Sequence, residues 1–219
     1  MTGAVEITPY QAGYRADVLH IAADSAFFGE PVEAFLEDRR LFCDASIGYY
    51  ADFEAEYLWL ALEDTRLVGY LAGCVDTPAQ RRRYLTRSIA PLIGRVLLGR
   101  YRLGEKTWRT ARSMFAGLLR SELAHVNYDE YPAHLHVNVA VDSRGKGIGK
   151  RLIETYLRQL RELQVPGVFL GTTNLNKAAC RLYEKIGFTL LDAKITSIWN
   201  SFVDGDVENR SYVLRLMNP

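Results

Sequence analysis

The stretch His134–Leu163, HLHVNVAVDSRGKGIGKRLIETYLRQLREL, decides how the chain is read. Leu135, Val137, Val139 and Val141 alternate with their neighbours, which is the period of a half-buried β-strand. A loop follows, Arg144-Gly145-Lys146-Gly147-Ile148-Gly149, with three glycines in five residues. Glycines let the backbone turn sharply and bring its N–H groups close to a ligand. Ile148, Leu152, Ile153, Tyr156, Leu157 and Leu160 then recur at helical spacing. Unpaired N–H groups and the positive end of the helix dipole converge at the loop, a ready anion site. Arg144, Lys146, Lys150 and Arg151 add positive charge, so the expected ligand carries phosphate.

The pattern is no Walker loop, because no Gly-Lys-Ser/Thr closes it. Nor is Gly145-x-Gly147-x-Gly149 the G-x-G-x-x-G of a dinucleotide site, and no acidic residue ends the next strand, GVFLGTT. The loop resembles the acetyl-CoA loop of the GNAT acyltransferases, R/Q-x-x-G-x-G/A, matched by Arg144, Gly147 and Gly149. The competing reading is a glycine-rich turn that binds nothing. A second motif weighs against it: Asn176, Ala179, Tyr183, Gly187 and Phe188 match the N-x-x-A-x-x-x-Y-x-x-x-G-F of the same superfamily. Its residues also make physical sense, since Ala178, Leu182, Tyr183 and Ile186 share about one helix face and Gly187 is a good C-terminal stop.

That resemblance implies an α/β GNAT fold, a mixed, mostly antiparallel twisted sheet with flanking helices. It implies acetyl-CoA as co-substrate, with acetyl passed directly from the thioester to an amine acceptor and no metal. The amides from Gly145 through Lys146, Gly147 and Ile148 to Gly149, with Arg144 and Lys150 beside them, would hold the pyrophosphate. The pantetheine arm would pair with the strand edge near Val139 and Val141 and touch Asn176. Tyr183 would meet the cofactor and give its proton to the departing thiolate, since a phenol near pKa 10 can protonate a thiolate whose thiol lies near 8.5. The alternative for Tyr183 is a core tyrosine. The base stays open. His134 and His136 share a strand face with Asn138 and could draw a proton from an amine. They could equally be structural, and a strand bulge would change their facing. Asp142 and Glu56 are weaker candidates.

Composition sets the frame. The chain has 219 residues with 48% apolar content, long enough for one large domain over 1–219. No apolar run approaches a membrane span, and MTGAVEITPY lacks the basic start and apolar core of a signal peptide. Cys43, Cys74 and Cys180 have no metal spacing, and their odd number argues against a disulfide framework. The expected location is the cytoplasm. Net charge is +1, yet Thr77–His125 carries eleven Lys/Arg against Glu105 and Glu122, a net of +9. Such asymmetry implies an acidic partner or an internal match.

In chain order, Val5–Thr8 is a strand, Tyr14–Ala23 a helix, and the aromatic-rich segment to Tyr57 mostly helical. Its aromatics are expected to be core, with some lining a pocket. Tyr57–Glu63 and Leu67–Val75 form a hairpin through Asp64-Thr65-Arg66, where Gly69 and Gly73 mark bulges or a close approach. The basic insert at 77–125 lies between the third and fourth strands and reads as helices near 79–88, 92–98 and 107–119. Gly167–Thr172 is a strand, and Leu190–Asn200 and Val207–Leu216 pair around Asp204-Gly205-Asp206. The motif Phe27-Phe28-Gly29-Glu30-Pro31, the pair Tyr49-Tyr50, the insert and His134-Leu135-His136 are together similar to the acetyltransferase-like C-terminal domain of O-GlcNAcase and its bacterial relatives.

Other classes remain beside the transferase. A protein that binds acetyl-CoA without transferring acetyl would carry the same motifs. The Arg81-Arg82-Arg83 run could track nucleic-acid phosphate, but no groove-reading motif accompanies it. The apolar face of the insert, with Met114, Leu118 and Leu119, is expected to pack on the body or on a second subunit. Its arginines would attract an acidic acceptor or pair with the acidic helices between Glu30 and Glu56.

Overall fold

The computed structural model describes residues 4–122 and 125–217, so Leu123 and Ala124 of the insert lie outside the described residues. Seven strands form one sheet: β1 (Val5–Pro9), β2 (Leu58–Glu63), β3 (Arg66–Cys74), β4 (Ala133–Val139), β5 (Gly167–Thr173), β6 (Thr189–Thr196) and β7 (Val207–Arg215). Their order is β1-β2-β3-β4-β5-β7-β6. Every neighbouring pair is antiparallel except β4 and β5.

That one parallel pair is short. Only Ala133 with Val168 and His134 with Phe169 are in register. Beyond them β4 stays on β3 as far as Val139, and β5 stays on β7 as far as Thr173. The sheet therefore parts along its middle.

The glycine loop leads into α7 (Ile148–Glu162). Ile148, Leu152, Ile153, Tyr156, Leu157 and Leu160 are its buried residues and pack with Val68, Leu71, Leu135 and Leu170 of the sheet. Tyr156 lies against Gly73, where a Cβ would sit 2.3 Å from its ring. Its hydroxyl donates to the carbonyls of Cys74, at 2.9 Å, and His134, at 3.2 Å. Gly73 thus makes room for a side chain. The other expectation holds beside Gly69: Ala61 pairs with Gly69 and Leu62 with Leu67, leaving Val68 as the extra residue of a bulge. Helix α8 (Lys177–Ile186) joins the same core through Cys180 and Tyr183.

The opposite face carries α1 (Arg15–Asp24), α2 (Arg39–Asp44) and α3 (Gly48–Phe53). Val18, Ile21, Tyr49 and Tyr50 pack there on Leu58, Leu60 and Tyr70. The expectation of a mostly helical segment up to Tyr57 is corrected, because α2 and α3 have six residues each and the rest is turns and coil. Its order comes from aromatic packing: Phe27, Phe28 and Phe35 meet Trp199 at ring-centroid distances of 5.2–5.7 Å. Trp199 reaches them because β6 ends at Thr196 instead of running to Asn200. The connection to β7 is accordingly longer than a tight hairpin.

The insert begins with α4 (Thr77–Tyr84), widens into a π-helical turn (Leu85–Ile89), and continues as α5 (Ala90–Leu97). Pro91 explains the widening, since a proline inside a helix has no N–H and crowds the preceding turn. Helix α6 (Glu105–Leu119) follows. The insert is pinned to the acidic helices: Arg83 to Glu54 at 2.7 Å, Arg95 to Asp44 at 2.9 Å, and Arg102 N–H to Asp38 at 2.9 Å. Glu37 sits on the N-terminus of α6. Its carboxylate accepts the amides of Gly104, Lys106 and Thr107 at 3.1, 2.7 and 3.0 Å, and the Thr107 hydroxyl. Desolvation works against the charge, but these donors prevail and hold its pKa down at about 2.

One of the two expectations for α6, that its apolar face packs on the body, is corrected. Thr107, Thr110 and Gly117 are its buried residues, whereas Trp108, Phe115, Leu118 and Leu119 are 59, 64, 61 and 70% exposed. The helix turns its small and polar side inward, because hydrogen bonds from Thr107 to Glu37 and Thr110 to Phe35 O fix that side. The apolar face is not packed on the body.

Replacing Glu37 by Gln removes the charge that collects these donors. The expected loss is about 1–2 kcal/mol, a melting-temperature fall of about 2–8 °C, with faster proteolysis in the 98–104 connection. Unchanged melting and cleavage would show that the carboxylate does not hold the insert.

Candidate active site

The parting of β4 from β5 opens a cleft of about 570 Å³ lined by Tyr50, Tyr70, Gln80, His136, Asn138, Asn176 and Tyr183, among others. Backbone polarity follows from register. The Ala140 N–H goes to Val68 O across the β3 side, so alternation turns the amides of Val137 and Val139 toward the open edge. Val141 lies past the strand, in a 3₁₀ turn with Asp142 and Ser143, and is exposed. The strand-edge positions are thus Val137 and Val139.

Gly145 and Gly147 have φ of +80° and +78°, a left-handed conformation that β-carbons resist. Gly147 caps α7 without a side-chain bond, and the first helical amide to find an acceptor is Arg151 on Gly147 O at 3.2 Å. Among the described residues no backbone acceptor takes the amides from Gly145 to Lys150. Ile148 is buried in the core, which leaves its backbone toward the loop. Lys146 is 3.9 Å from Glu63, and Lys150 is 3.4 Å from Glu154. Arg144 does something else: its guanidinium donates to Val139 O at 3.2 Å and Gly29 O at 3.0 Å, bracing the loop.

On the far wall, Tyr183 is buried in α8, and desolvation raises its pKa well above the phenol's usual 10, with Cys180 adding to the effect. It is a protonated phenol at neutral pH. Asn176 is the N-cap of α8, its Oδ1 accepting Ala179 N–H at 3.4 Å. That bond leaves its NH₂ group for the cleft.

The two histidines have different surroundings. The β3–β4 register runs without a bulge from Gly69–Val139 to Cys74–His134. His134, His136 and Asn138 therefore stay on the α1–α3 face. The Thr77 hydroxyl donates to Pro132 O at 2.7 Å. It must then accept from Nδ1–H of His134, 2.7 Å away, with Cys74 Sγ a second neighbour at 3.2 Å. Nε2 of His134 is consequently the acceptor for the Tyr50 hydroxyl at 2.6 Å. Tyr50 Oη in turn accepts Nε2–H of His136 at 3.1 Å. This donor sequence assigns every tautomer and leaves Nδ1 of His136 as a lone pair at the end of the chain.

Burial lowers the pKa of His134 to about 3, helped by His136 and Arg81. Desolvation also lowers the pKa of His136, whose ring opens to the cleft, so it is neutral at pH 7. Asp142 is paired with Arg66 at 2.7 Å, and Glu56 is exposed; neither lines this cleft. The sequence assigns no role to Thr77, and reads Tyr50 as a core or pocket aromatic and as part of the Tyr49-Tyr50 pair, not as a partner of the histidines. Nothing in the spacing of Tyr50, Thr77 and His134 announces that they meet.

The architecture is the GNAT fold, and residues 115–188 match the profile of the Acetyltransferase (GNAT) family. Human N-acetyltransferase 8B is 33% identical over 69 residues, which is 32% of this chain and 30% of that protein. The matched stretch is thus under a third of the curated relative's length. The crystal structure of SsHAT superposes with a TM-score of 0.74 at 24% identity, covering 98% of this chain and 100% of that one. A Salmonella typhimurium protein, yncA, solved with its cofactor acetyl-CoA, gives a TM-score of 0.59 at 14% identity over 99% of this chain and 96% of its own. No helix among the described residues is long and apolar enough to cross a membrane.

The depressed His134 predicts an acid sensitivity. The unfolded chain protonates this imidazole near pH 6.5 and the folded chain only near 3. The contribution is therefore complete above pH 6.5 and is lost as pH falls toward 3. Between pH 7 and 5 the expected loss is about 2 kcal/mol, read as a melting-temperature fall of about 4–8 °C. In His134→Gln this contribution should disappear, leaving only the acid sensitivity of the other groups. An equal fall in the variant would place the acid sensitivity elsewhere.

Proposed function

We propose that the protein is an acetyl-CoA-dependent N-acetyltransferase that passes acetyl directly from the thioester to an amine. The observation that carries this reading is the gap between β4 and β5, with unpaired edge amides on one lip and a protonated tyrosine on the other. The residues fit the co-substrate. Six consecutive loop amides, two of them in left-handed glycines, suit a pyrophosphate at a helix N-terminus. The free edge at Val137 and Val139 suits the amide-bearing pantetheine arm, which would add to the sheet as a short strand. A strand-edge N–H also suits the thioester oxygen. The Salmonella typhimurium protein of the same fold was solved with its cofactor acetyl-CoA, which supports acetyl-CoA as the co-substrate.

The roles follow from the proton inventory. The acceptor nitrogen attacks the thioester carbon, the new C–N bond forms, and the C–S bond breaks. Nδ1 of His136 takes the proton that the nitrogen must lose, and its Nε2–H stays on Tyr50. The Tyr183 phenol gives its proton to the departing sulfur. His134 holds Tyr50 and so positions His136. The narrower likeness to the acetyltransferase-like domain of O-GlcNAcase rests on the sequence alone, on Phe27-Phe28-Gly29-Glu30-Pro31, Tyr49-Tyr50, the insert and His134-Leu135-His136. We place the reaction in the cytoplasm.

Acetyl-CoA is expected to raise the melting temperature, because a ligand of the folded state stabilises it by mass action. Gly147→Asp, which sets a carboxylate against the pyrophosphate and tolerates the backbone better than larger residues, should abolish that rise while the variant stays folded. If the folded variant binds as well as wild type, the loop assignment is wrong.

Tyr183→Phe and His136→Ala should each slow turnover by about ten- to a thousand-fold with acetyl-CoA affinity nearly unchanged. Single-turnover acetylation separates these steps from product release. A chemistry-limited rate equal to wild type in either variant would remove that residue from the mechanism, and binding without transfer in wild type would leave a cofactor-binding protein.

A further inference from the structure

The acceptor half of the cleft is built from Ser25, Ala26, Phe42, Ala45, Ser46, Tyr84, Gln80 and Arg81. Among the described residues Arg81 is the only permanently charged side chain on the cleft lining, and no carboxylate of theirs lines it. The acidic residues of the surrounding helices are engaged elsewhere: Glu54 by Arg83 and Tyr49, Asp44 by Arg95 and Tyr101, Asp24 by Arg39, and Asp52 by Arg15. The cleft hydroxyls of Ser25 and Ser46 donate to Ile21 O and Phe42 O.

Two donors remain uncommitted. Gln80 is 6% exposed and lines the cleft, and its side-chain amide makes no hydrogen bond to protein among the described residues. It is not among the sealed unsatisfied groups, so its amide faces the water of the cleft and is free to turn to a ligand there. Arg81 donates through Nη1 to Tyr128 Oη at 3.0 Å, with its guanidinium 5.8 Å from the Tyr128 ring centre. That contact fixes the plane of the guanidinium and leaves Nε and Nη2 without an acceptor. The charge reaches the interior, since Arg81 is among the groups that lower His134.

We propose that the acceptor is an amine that also carries an anionic group, a carboxylate or a phosphate, which Gln80 and Arg81 bind at the mouth of the cleft. This rests on the transferase reading above. A guanidinium fork and a side-chain NH₂ match the paired oxygens of either anion. The same lining disfavours di- and polyamines: a second ammonium would face Arg81 with no carboxylate to receive it. The anion also sets the direction of the substrate, anchored on α4 with its amine toward His136.

The test compares amines of similar length on the wild-type protein: L-glutamate for the carboxylate, O-phosphoethanolamine for the phosphate, and putrescine as the cationic control. Two readouts are taken, acetylation rate and calorimetric binding of each amine to the CoA-saturated protein. Anion-bearing amines should exceed putrescine at least about tenfold in kcat/KM and in affinity, a difference of about 1.4 kcal/mol. Whichever of glutamate and phosphoethanolamine binds tighter identifies the anion. Arg81→Ala should raise the acceptor KM at least about tenfold with kcat within about threefold. Gln80→Leu should do so less, Arg81→Lys should recover part, and acetyl-CoA affinity should not move. Binding of the anionic amine without acetylation upholds this subsite and refutes the transferase reading. Acetylation with putrescine equal or preferred, or with KM unmoved in Arg81→Ala, overturns the subsite and leaves the transferase reading intact.

Discussion

Two strands that should be neighbours pair over two residues and then separate. Beyond His134–Phe169, β4 and β5 each keep one full antiparallel partner and give up the other. Backbone N–H and C=O groups left without partners away from water are costly, so the gap can only be wet or filled. An extended ligand with its own amides is the occupant that satisfies such an edge. The glycine loop stands at the same end, because α7 begins where β4 stops. One defect in the sheet thus creates the slot for an arm and the anchor for its phosphates.

The regular pairing of β3 with β4 supplies the second half of the site. Because no bulge interrupts it, alternate residues of β4 serve different ends. Leu135, Val137 and Val139 go to the core beneath α7, with Gly73 hollowed to admit Tyr156. His134, His136 and Asn138 go to the other face, where Tyr50 and Tyr70 wait. A slip of one residue would bury two imidazoles against α7 and expose three aliphatic side chains. The hydrophobic core therefore enforces the geometry of the polar chain. Thr77 closes that chain through Pro132 O, so the first residue of the insert is also a support of the site.

Local periodicity and short motifs made the strands, α7, α8, the glycine loop and the place of the insert readable before any coordinates. These features are encoded by residues near one another in sequence. The segment between Phe27 and Tyr57 was misread because its order comes from Trp199 and Phe202, far along the chain. Val141 kept the strand's alternation but lies past its end, in the turn that redirects the chain into the loop. The alternation has no term for where a strand stops. Thr77 and Gln80 carried no signal, and Tyr50 only that of a family pair and an aromatic, since each acts through a partner placed by tertiary structure.

The charge of the insert shows how little a sum reveals. A net of +9 over Thr77–His125 invites an acidic macromolecule as partner. Folding consumes much of it at home, where Glu54, Asp44 and Glu37 hold Arg83, Arg95 and the start of α6. The same bonds decide the orientation of α6. Its polar side is held inward by Glu37 and Phe35 O, and Trp108, Phe115, Leu118 and Leu119 are carried outward as a consequence. Among the described residues several insert arginines have no carboxylate partner, and Arg81 is the one of them that lines the cleft, held by Tyr128 one residue from Gln80. Salt screens charges that lie beyond short range, so a ligand in the cleft meets Arg81 first, the one charged side chain on its lining among the described residues.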